Sequence, residues 1–170
     1  MFELSLTNPD KPSMDVQEAS RRANILKEAL ADSNIGEWGV LFTSAPLFSQ
    51  KVEKYYPNIA TNVEENAQFS FVIGTDTMVR ILNPKYYADE AAMWEAIREM
   101  KSLGIHFFVG GRLQQENATP TPTASDVFLS GHDEYDKLPS DVKEAFTILP
   151  NFRVDVSSSE IRKRTSVPES

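Results

Sequence analysis

The triplet Gly74-Thr-Asp76 closes a short apolar segment that begins at Phe69. The segment is rich in β-forming side chains and too short for a helix, so it predicts a buried strand. A helical pattern follows and ends before Pro84. This order places the Asp76 carboxylate at the carboxyl edge of a parallel sheet, where open α/β folds bind their ligands. The simpler alternative is that Asp76 or Thr77 only caps the helix.

A second candidate site lies near the C-terminus, in Ser157-Ser-Ser-Glu160. Ser157 and Glu160 have the spacing of a capping box, which predicts the first turn of a last helix. The free amides of that turn, the helix dipole and the hydroxyls of Ser158 and Ser159 together suit a phosphate group. Arg162 adds positive charge nearby. The alternative is an ordinary capped helix with a basic end.

Three further residues could contact an anionic ligand. Arg112 follows two glycines, so the backbone could approach a phosphate closely while the guanidinium binds it. A tight turn with a solvated Arg112 explains the same residues. Lys11 lies with Asn8 in a proline-rich loop, which presents the ammonium group rigidly without showing what it binds.

The two histidines give weaker signals. His106 lies inside a predicted strand and is interpreted as a satisfied core histidine. His132 lies beside Asp133 and Asp136 and could bind a metal ion, although such acidic loops are usually solvated. No Ser-His-Asp order, HExxH motif, Walker A loop or GxGxxG motif occurs in the chain. The sequence therefore assigns no catalytic nucleophile and no metal ligand.

Composition limits the class of protein. With 170 residues, 41% of them apolar, the chain is long enough for one domain with a sizeable core. A net charge of −8 argues against broad nucleic-acid binding. The absence of cysteine fits a reducing compartment, the cytoplasm or alternatively the nucleus. No apolar run is long enough to span a bilayer and no signal-peptide pattern is present, so no membrane partner is expected.

Periodic segments predict alternating strands and helices. Strands are predicted at residues 2–7, 38–43, 69–73, 105–109 and 152–156. Helices are predicted after the cap residue Asp15, at 47–56 before Pro57, after Gly74, at 90–103 after the cap residue Asp89, near 140–146 and from Ser157. Residues 114–126 are rich in Gln, Asn, Thr and Pro and are predicted to form a mobile loop.

This alternation gives βαβ units, and hence a single α/β domain over residues 1–170 with a mostly parallel sheet flanked by helices. Right-handed crossovers would bring the loops that follow the strands to one edge of the sheet. The polar residues of those loops are Asn8, Lys11, Asp76, Arg112, Ser157 and Arg162. Their expected convergence predicts a ligand site at that edge.

Four stretches resemble, in the expected order, the nicotinamide/nicotinate mononucleotide adenylyltransferase-like proteins of the cytidylyltransferase-like (nucleotidyltransferase) superfamily. Residues 71–87 resemble the family's G-x-D stretch, and Val156–Arg162 is similar to its I-S-S-T-x-x-R motif, with Val and Ser in place of Ile and Thr. Residues 2–12 are similar to the family's second strand and following loop, and Phe108–Arg112 to a late strand. The resemblance covers nearly the whole chain and implies a Rossmann-like fold.

The resemblance also implies roles for the candidate residues. Gly74 and Asp76 would contact the nucleotide, typically at its ribose, and Ser157, Ser158 and Arg162 would hold the ATP phosphates with Ser159 beside them. Asn8 and Lys11 would line the substrate loop, to which Arg112 is added. The implied reaction transfers AMP from Mg·ATP to nicotinamide or nicotinate mononucleotide and gives NAD, or its deamido form, and pyrophosphate. It requires positioning and charge neutralisation rather than a covalent intermediate. The expected partners are small-molecule nucleotides, and a homo-oligomer is left open.

One family motif has no counterpart in this sequence. The family's first strand–loop–helix carries a G-x-F-x-P-x-H-x-G-H type motif, whose histidines stabilise the α-phosphate in the transition state. We therefore expect an N-terminally incomplete adenylyltransferase that lacks this strand–helix unit. The alternatives are a naturally shortened relative with a rearranged sheet, a nucleotide-binding module without catalysis, and an interaction protein that pairs through an exposed sheet edge. A cytidylyl or phosphopantetheine substrate also remains open.

Overall fold

The structure is a computed structural model that describes residues 1–10, 12–60, 69–114 and 127–154. It is mixed α/β, with parallel strands flanked by helices. The chain divides into two compact units, Met1–Ala67 and Gln68–Ser170, and each is described by itself. The expectation of a single domain stays a prediction.

The first unit contains a two-stranded parallel sheet. Strand β1 (Phe2–Ser5) pairs with strand β2 (Val40–Thr43) in the register Phe2 to Val40. The amide of Leu6 donates to the carbonyl of Thr43 at 2.7 Å and prolongs this pairing past the end of β1. Both strands were predicted from their apolar patterns, with slightly longer bounds.

Helix α1 (Val16–Ala29) connects these strands. It begins where the sequence predicted, because the Asp15 carboxylate accepts a hydrogen bond from the Glu18 amide at 2.8 Å. Ala19 is buried at the centre of its apolar face. Val16, at the first turn of the helix, is 73% exposed.

Helix α2 (Phe48–Ala60) corrects a second boundary. The sequence predicted a stop before Pro57, yet the helix continues through this residue. Proline has no N–H and removes one backbone hydrogen bond of the helix. Pro57 is exposed, so water can satisfy the carbonyl oxygen that loses its partner. A proline near the solvent-facing end of a helix is thus a weaker stop signal than one in a buried turn.

The second unit is built on strand β4 (Ile105–Gln114). Strand β3 (Phe69–Gly74) pairs parallel to its first half, and strand β5 (Val127–Leu129) pairs antiparallel to Arg112–Gln114 along the same edge. Strand β6 (Phe146–Val154) pairs parallel along the opposite edge. The sheet is therefore mostly parallel, as predicted, with β5 as an antiparallel addition that the sequence did not reveal.

An aromatic stack crosses the three parallel strands. Phe71, Phe107 and Phe146 are direct neighbours in the ladder, with ring centroids 5.6 Å and 5.0 Å apart and nearly parallel planes. Phe107 is completely buried and Phe146 nearly so. Burial of rings of this size gives the second unit its main apolar core.

Two helices follow β3. Helix α3 (Thr75–Ile81) buries Met78 and Ile81, and a 3₁₀ turn (Pro84–Tyr86) ends the segment as Pro84 predicted. Helix α4 (Glu90–Ser102) begins at the predicted cap, where Asp89 accepts from the Ala92 amide at 2.8 Å. Gly104 follows the end of α4 with a φ of 76°, a left-handed conformation that glycine adopts without strain.

The remaining elements differ from the predicted ones in detail. Helices α5 (His132–Asp136) and α6 (Ser140–Lys143) precede β6, and only α6 was predicted. The last strand was predicted at 152–156, but β6 begins earlier, at Phe146. Its pairing with β4 is irregular between Val109 and Gly111, since Ile148 lies opposite Val109 and Arg153 opposite Gly111. Among the described residues, none of the helices is long and apolar enough to cross a membrane.

Candidate functional site

The Asp76 carboxylate folds back over the end of β3. Gly74 closes the strand, and a Cβ placed on it would stand 2.7 Å from Asp76 Oδ1. Glycine is therefore required at position 74 for this carboxylate position, although its φ of −86° is open to any residue. Both residues are half-buried at the carboxyl edge of the parallel strands. This is the place where the sequence predicted a ligand site.

The alternative that Asp76 or Thr77 caps α3 was wrong. Gly74 is the N-cap residue, and it makes no side-chain cap. Asp76 instead lies within the first turn, where its negative charge is favourable next to the helix dipole.

Thr75 holds the junction between β3 and α3, which we call the Gly74–Asp76 corner. Its side chain is fully buried, and Oγ1 donates toward two carbonyl oxygens, that of Gly110 at 3.2 Å and that of Leu129 at 3.0 Å. The start of α3 is thereby tied to β4 and β5 at once. Gly131 lies next to Thr75, since a Cβ there would be in van der Waals contact with Thr75 Oγ1 at 3.5 Å, and its φ of 88° favours glycine.

A second hydrogen bond holds the C-terminal end of α3. The Tyr87 hydroxyl donates to the Ile81 carbonyl at 2.9 Å. Burial raises the pKa of Tyr87, so the phenol keeps its proton and remains a donor under ordinary conditions. Both ends of the helix that carries Asp76 are therefore held by hydroxyl groups, that of the buried Thr75 and that of the half-buried Tyr87.

Gly110, Gly111 and Arg112 lie inside β4, so the predicted tight turn was wrong. A Cβ at Gly110 would stand 2.4 Å from Cδ1 of Phe152, and one at Gly111 would stand 2.4 Å from Cζ of Phe128. Neighbouring rings thus occupy the space that the two glycines leave, which gives both glycines a packing role. Arg112 pairs with Leu129 and Val154 through its backbone.

The structure brings together some of the predicted site residues. Gly74 is the ladder partner of Gly110, so the Gly74–Asp76 corner lies beside the strand that carries Arg112. Asn8 belongs to the first unit, where its amide oxygen accepts from the Asp10 amide at 2.9 Å and stabilises a turn. The other predicted residues lie outside the described ones: Lys11, Ser157, Ser158, Ser159 and Arg162.

An ion pair between a buried lysine and a partly exposed glutamate in the first unit was not foreseen. Lys51 of α2 is 7% exposed, and its Nζ lies 3.0 Å from Oε1 of Glu3 on β1. The Thr43 hydroxyl donates to the same carboxylate oxygen. Lys51 also stands over the Phe48 ring, 4.9 Å from its centroid. These contacts anchor α2 on both strands and satisfy a lysine that would otherwise be costly to bury.

A second polar cluster lies where β2 ends, and we call Ser44, Lys54 and Tyr55 the serine–lysine–tyrosine cluster. The Ser44 amide donates to Tyr55 Oη at 2.8 Å, and Ser44 Oγ lies 3.2 Å from the same oxygen. Lys54 Nζ donates to Ser44 Oγ at 2.9 Å. Hydrogen bonds from the Ser44 hydroxyl and then from its amide lower the pKa of Tyr55, with a smaller contribution from the charge of Lys54.

The sequence predicted a helix at 47–56, which contains Lys54 and Tyr55, but it did not indicate a polar cluster of these residues with Ser44. A signal existed in Ser44, which directly follows an apolar strand, like the Asp76 segment. It was too weak to use, because Ser-Ala-Pro after a strand is also an ordinary loop.

Among the described residues, neither histidine belongs to a group of three or more possible metal ligands. The Nε2 atom of His106 lies 2.8 Å from the Thr147 hydroxyl, so this histidine has a partner as predicted, but it is half-buried and its assignment to the core was wrong. His132 begins α5 and has Asp133 and Asp136 on the same helix. Within the described ranges, no group of three or more histidine or carboxylate side chains could hold a metal ion.

Comparison with known proteins leaves the site to be argued from its own residues. No family model, no curated protein and no solved structure matches the chain.

Proposed function

We propose that this chain is a mononucleotide adenylyltransferase-like nucleotidyltransferase with a Rossmann-like fold. The observation that carries the proposal is the Gly74–Asp76 corner. A half-buried carboxylate is folded over a glycine at the carboxyl edge of parallel strands, within the stretch that resembles the family's G-x-D segment. That edge is where open α/β sheets bind nucleotides.

The geometry of the corner suits a ribose. A ribose presents vicinal hydroxyl groups, and a carboxylate accepts two hydrogen bonds from such a pair. The glycine at position 74 leaves room for the Asp76 carboxylate over the strand end, where the carboxylate could meet the sugar hydroxyls. The hydrogen bonds that the Thr75 and Tyr87 hydroxyls donate to backbone carbonyls hold α3 in place, so the Asp76 carboxylate is positioned before the ligand binds.

The phosphates of ATP require positive charge and donors elsewhere. In the proposal, Ser157, Ser158, Ser159 and Arg162 hold them, Asn8 and Lys11 line the acceptor side, and Arg112 adds a guanidinium. Magnesium in nucleotide enzymes is held mainly by substrate phosphates with one or two carboxylates. A site of three or more protein ligands, which the described residues do not provide, is therefore not needed for Mg·ATP.

The proposed chemistry is an in-line displacement at the α-phosphorus of ATP. The phosphate oxygen of nicotinamide or nicotinate mononucleotide forms the new P–O bond, and the bond to the leaving pyrophosphate breaks. Catalysis of this type depends on alignment of the two nucleotides and on neutralisation of their charges. No protein nucleophile takes part.

Titration calorimetry with Mg·ATP tests the proposal. We expect Asp76→Ala and Arg162→Ala each to weaken binding about tenfold, the loss of one hydrogen-bonded charged contact. Arg164→Ala, just beyond the resembling motif, is the matched control and should bind as the parent chain does. If a chain shown to be folded gives no heat with Mg·ATP, the nucleotide site is excluded.

Turnover separates the main proposal from its alternative. Production of NAD and pyrophosphate from nicotinamide mononucleotide and ATP would establish the enzyme. Binding without turnover would instead support a nucleotide-binding module without catalysis. A particle size that rises with protein concentration in sedimentation experiments, without nucleotide binding, would favour the interaction protein.

A further inference from the structure

The serine–lysine–tyrosine cluster gives Tyr55 the surroundings of a nucleophile. Tyr55 Oη accepts from the Ser44 amide at 2.8 Å. Because Ser44 Oγ already accepts from Lys54 Nζ at 2.9 Å, its own proton can point to Tyr55 Oη, 3.2 Å away. Two donors and a cation behind them all favour a negative charge on the phenol oxygen.

The geometry also leaves the phenol oxygen able to react. Ser44 and Lys54 are exposed and Tyr55 is half-buried, so a small molecule can approach the cluster from solvent. A tyrosine that only tied α2 to β2 would use its hydroxyl as a donor to a backbone carbonyl, as Tyr87 does with Ile81. Tyr55 instead accepts a hydrogen bond from a backbone N–H, which stabilises the ionised oxygen and can be kept when the phenol loses its proton.

We propose that Tyr55 Oη is a nucleophilic site, activated by Ser44 and Lys54, for small electrophiles that carry a transferable sulfonyl or phosphoryl group. In the step, the phenol releases its proton to water, its oxygen forms a bond to sulfur or phosphorus, and the leaving group departs with the electrons of the broken bond. Lys54 and the Ser44 hydroxyl stand where they would attract the anionic oxygens of such a group. This site is independent of the Gly74–Asp76 corner and of the function proposed for it.

An arylsulfonyl fluoride is the probe, since its reaction forms an S–O bond and releases fluoride. The intact chain is treated at mildly alkaline pH, and the modified residue is identified by peptide mass mapping. We expect Tyr55 to be labelled about tenfold faster than Tyr56, its half-buried neighbour on the same helix, because one hydrogen bond to a charged group is worth a factor of that size. Equal labelling of Tyr55 and Tyr56 in the folded chain would overturn the proposal.

Two variants test whether the neighbours activate the phenol. Ser44→Ala and Lys54→Met should each slow labelling of Tyr55 several-fold, about the value of one hydrogen bond or one nearby charge, and leave Tyr56 unchanged. Circular dichroism verifies that each variant is folded. A folded variant in which Tyr55 reacts at the parent rate would contradict the assigned roles.

A measurement on the parent chain alone does not depend on the variants. The labelling rate of Tyr55 should rise with pH at a lower midpoint in the folded chain than in the same chain unfolded in urea, because the reactive form is the phenolate. Equal midpoints in the folded and the unfolded chain would show that Ser44 and Lys54 do not activate Tyr55.

Discussion

The ring of Phe152 occupies the space beside Gly110 that a side chain there would need, with Cδ1 2.4 Å from the position of a Cβ. This contact joins the irregular part of β6 to the middle of β4. It explains a glycine in a strand interior, where glycine is usually unfavourable, by the close approach of an aromatic ring from the neighbouring strand.

Gly110→Ala should therefore destabilise the protein. The added methyl group forces the Phe152 ring out of its place, and overpacking of this kind costs about 1–3 kcal/mol. Unfolding in urea, followed by circular dichroism, measures the free energy of unfolding. Phe152→Ala in the same chain should recover part of the loss, since it removes the colliding ring. Strictly additive effects of the two changes would show that the contact does not cause the loss.

Thr75→Val should destabilise the second unit with little change in shape. Valine fills the same volume, but the carbonyls of Gly110 and Leu129 lose the hydroxyl that donates to them. An unmet buried acceptor costs about 1–3 kcal/mol. Thr77→Val, at a half-buried position of the same helix, is the control and should change the unfolding free energy much less. A Thr75→Val chain as stable as its parent would show that the hydrogen bonds of the Thr75 hydroxyl do not stabilise the second unit.

Gly74→Ala should weaken the binding of Mg·ATP without removing any polar group. The new Cβ would stand 2.7 Å from Asp76 Oδ1, so the carboxylate must leave its position over the strand end. We expect a loss of about tenfold in affinity, similar to that of Asp76→Ala. Gly39→Ala is the matched control, because a Cβ at Gly39 meets no atom within 4 Å. Unchanged binding in Gly74→Ala would show that the affinity for Mg·ATP does not depend on the position of the Asp76 carboxylate.

Glu18 should make stability depend on pH in the acid range. Hydrogen bonds from Arg21 and Arg22 lower the pKa of Glu18 from 4.5 to about 2. Between these values the unfolded chain binds a proton that the folded chain does not. The contribution of Glu18 is therefore complete above the unfolded value and is lost as the pH falls toward about 2.

The measurement for Glu18 compares thermal unfolding of the parent chain and of Glu18→Gln. The parent should have the higher melting temperature near neutral pH, and the difference between the two melting temperatures should vanish as the pH falls to about 2. Glu28→Gln, at the other end of the same helix, is the control; a charge there opposes the helix dipole, so its removal should not destabilise. A difference that stays constant from neutral pH to about pH 2 would rule out the arginine contacts as its source.

The sequence predicted the features that depend on neighbouring residues. The caps at Asp15 and Asp89 were predicted because helix starts are specified within a few residues. The strand that ends in Gly74 was foreseen for the same reason. The Gly74–Asp76 corner could thus be predicted as a candidate site, although not the position of its carboxylate.

Other features depend on residues that are distant in sequence. Gly110 was interpreted as part of a turn or of a ligand contact. The ring that fills the space beside it comes from the distant strand β6, so the residues next to Gly110 in the sequence do not reveal its packing role. The serine–lysine–tyrosine cluster depends on the angle at which α2 leaves β2, which no local pattern specifies. Strand β5 contains only three residues and pairs antiparallel, so neither its length nor its pattern distinguished it from a loop.

The aromatic stack of Phe71, Phe107 and Phe146 has a consequence for how the second unit folds. Its members are adjacent in the ladder but separated along the chain by two complete crossovers. Each crossover must close before the next ring can join, and the entropy of closure is lost before the stack compensates for it. The three strands therefore gain their stability together at a late stage of folding, which makes assembly of the second unit slow but highly cooperative.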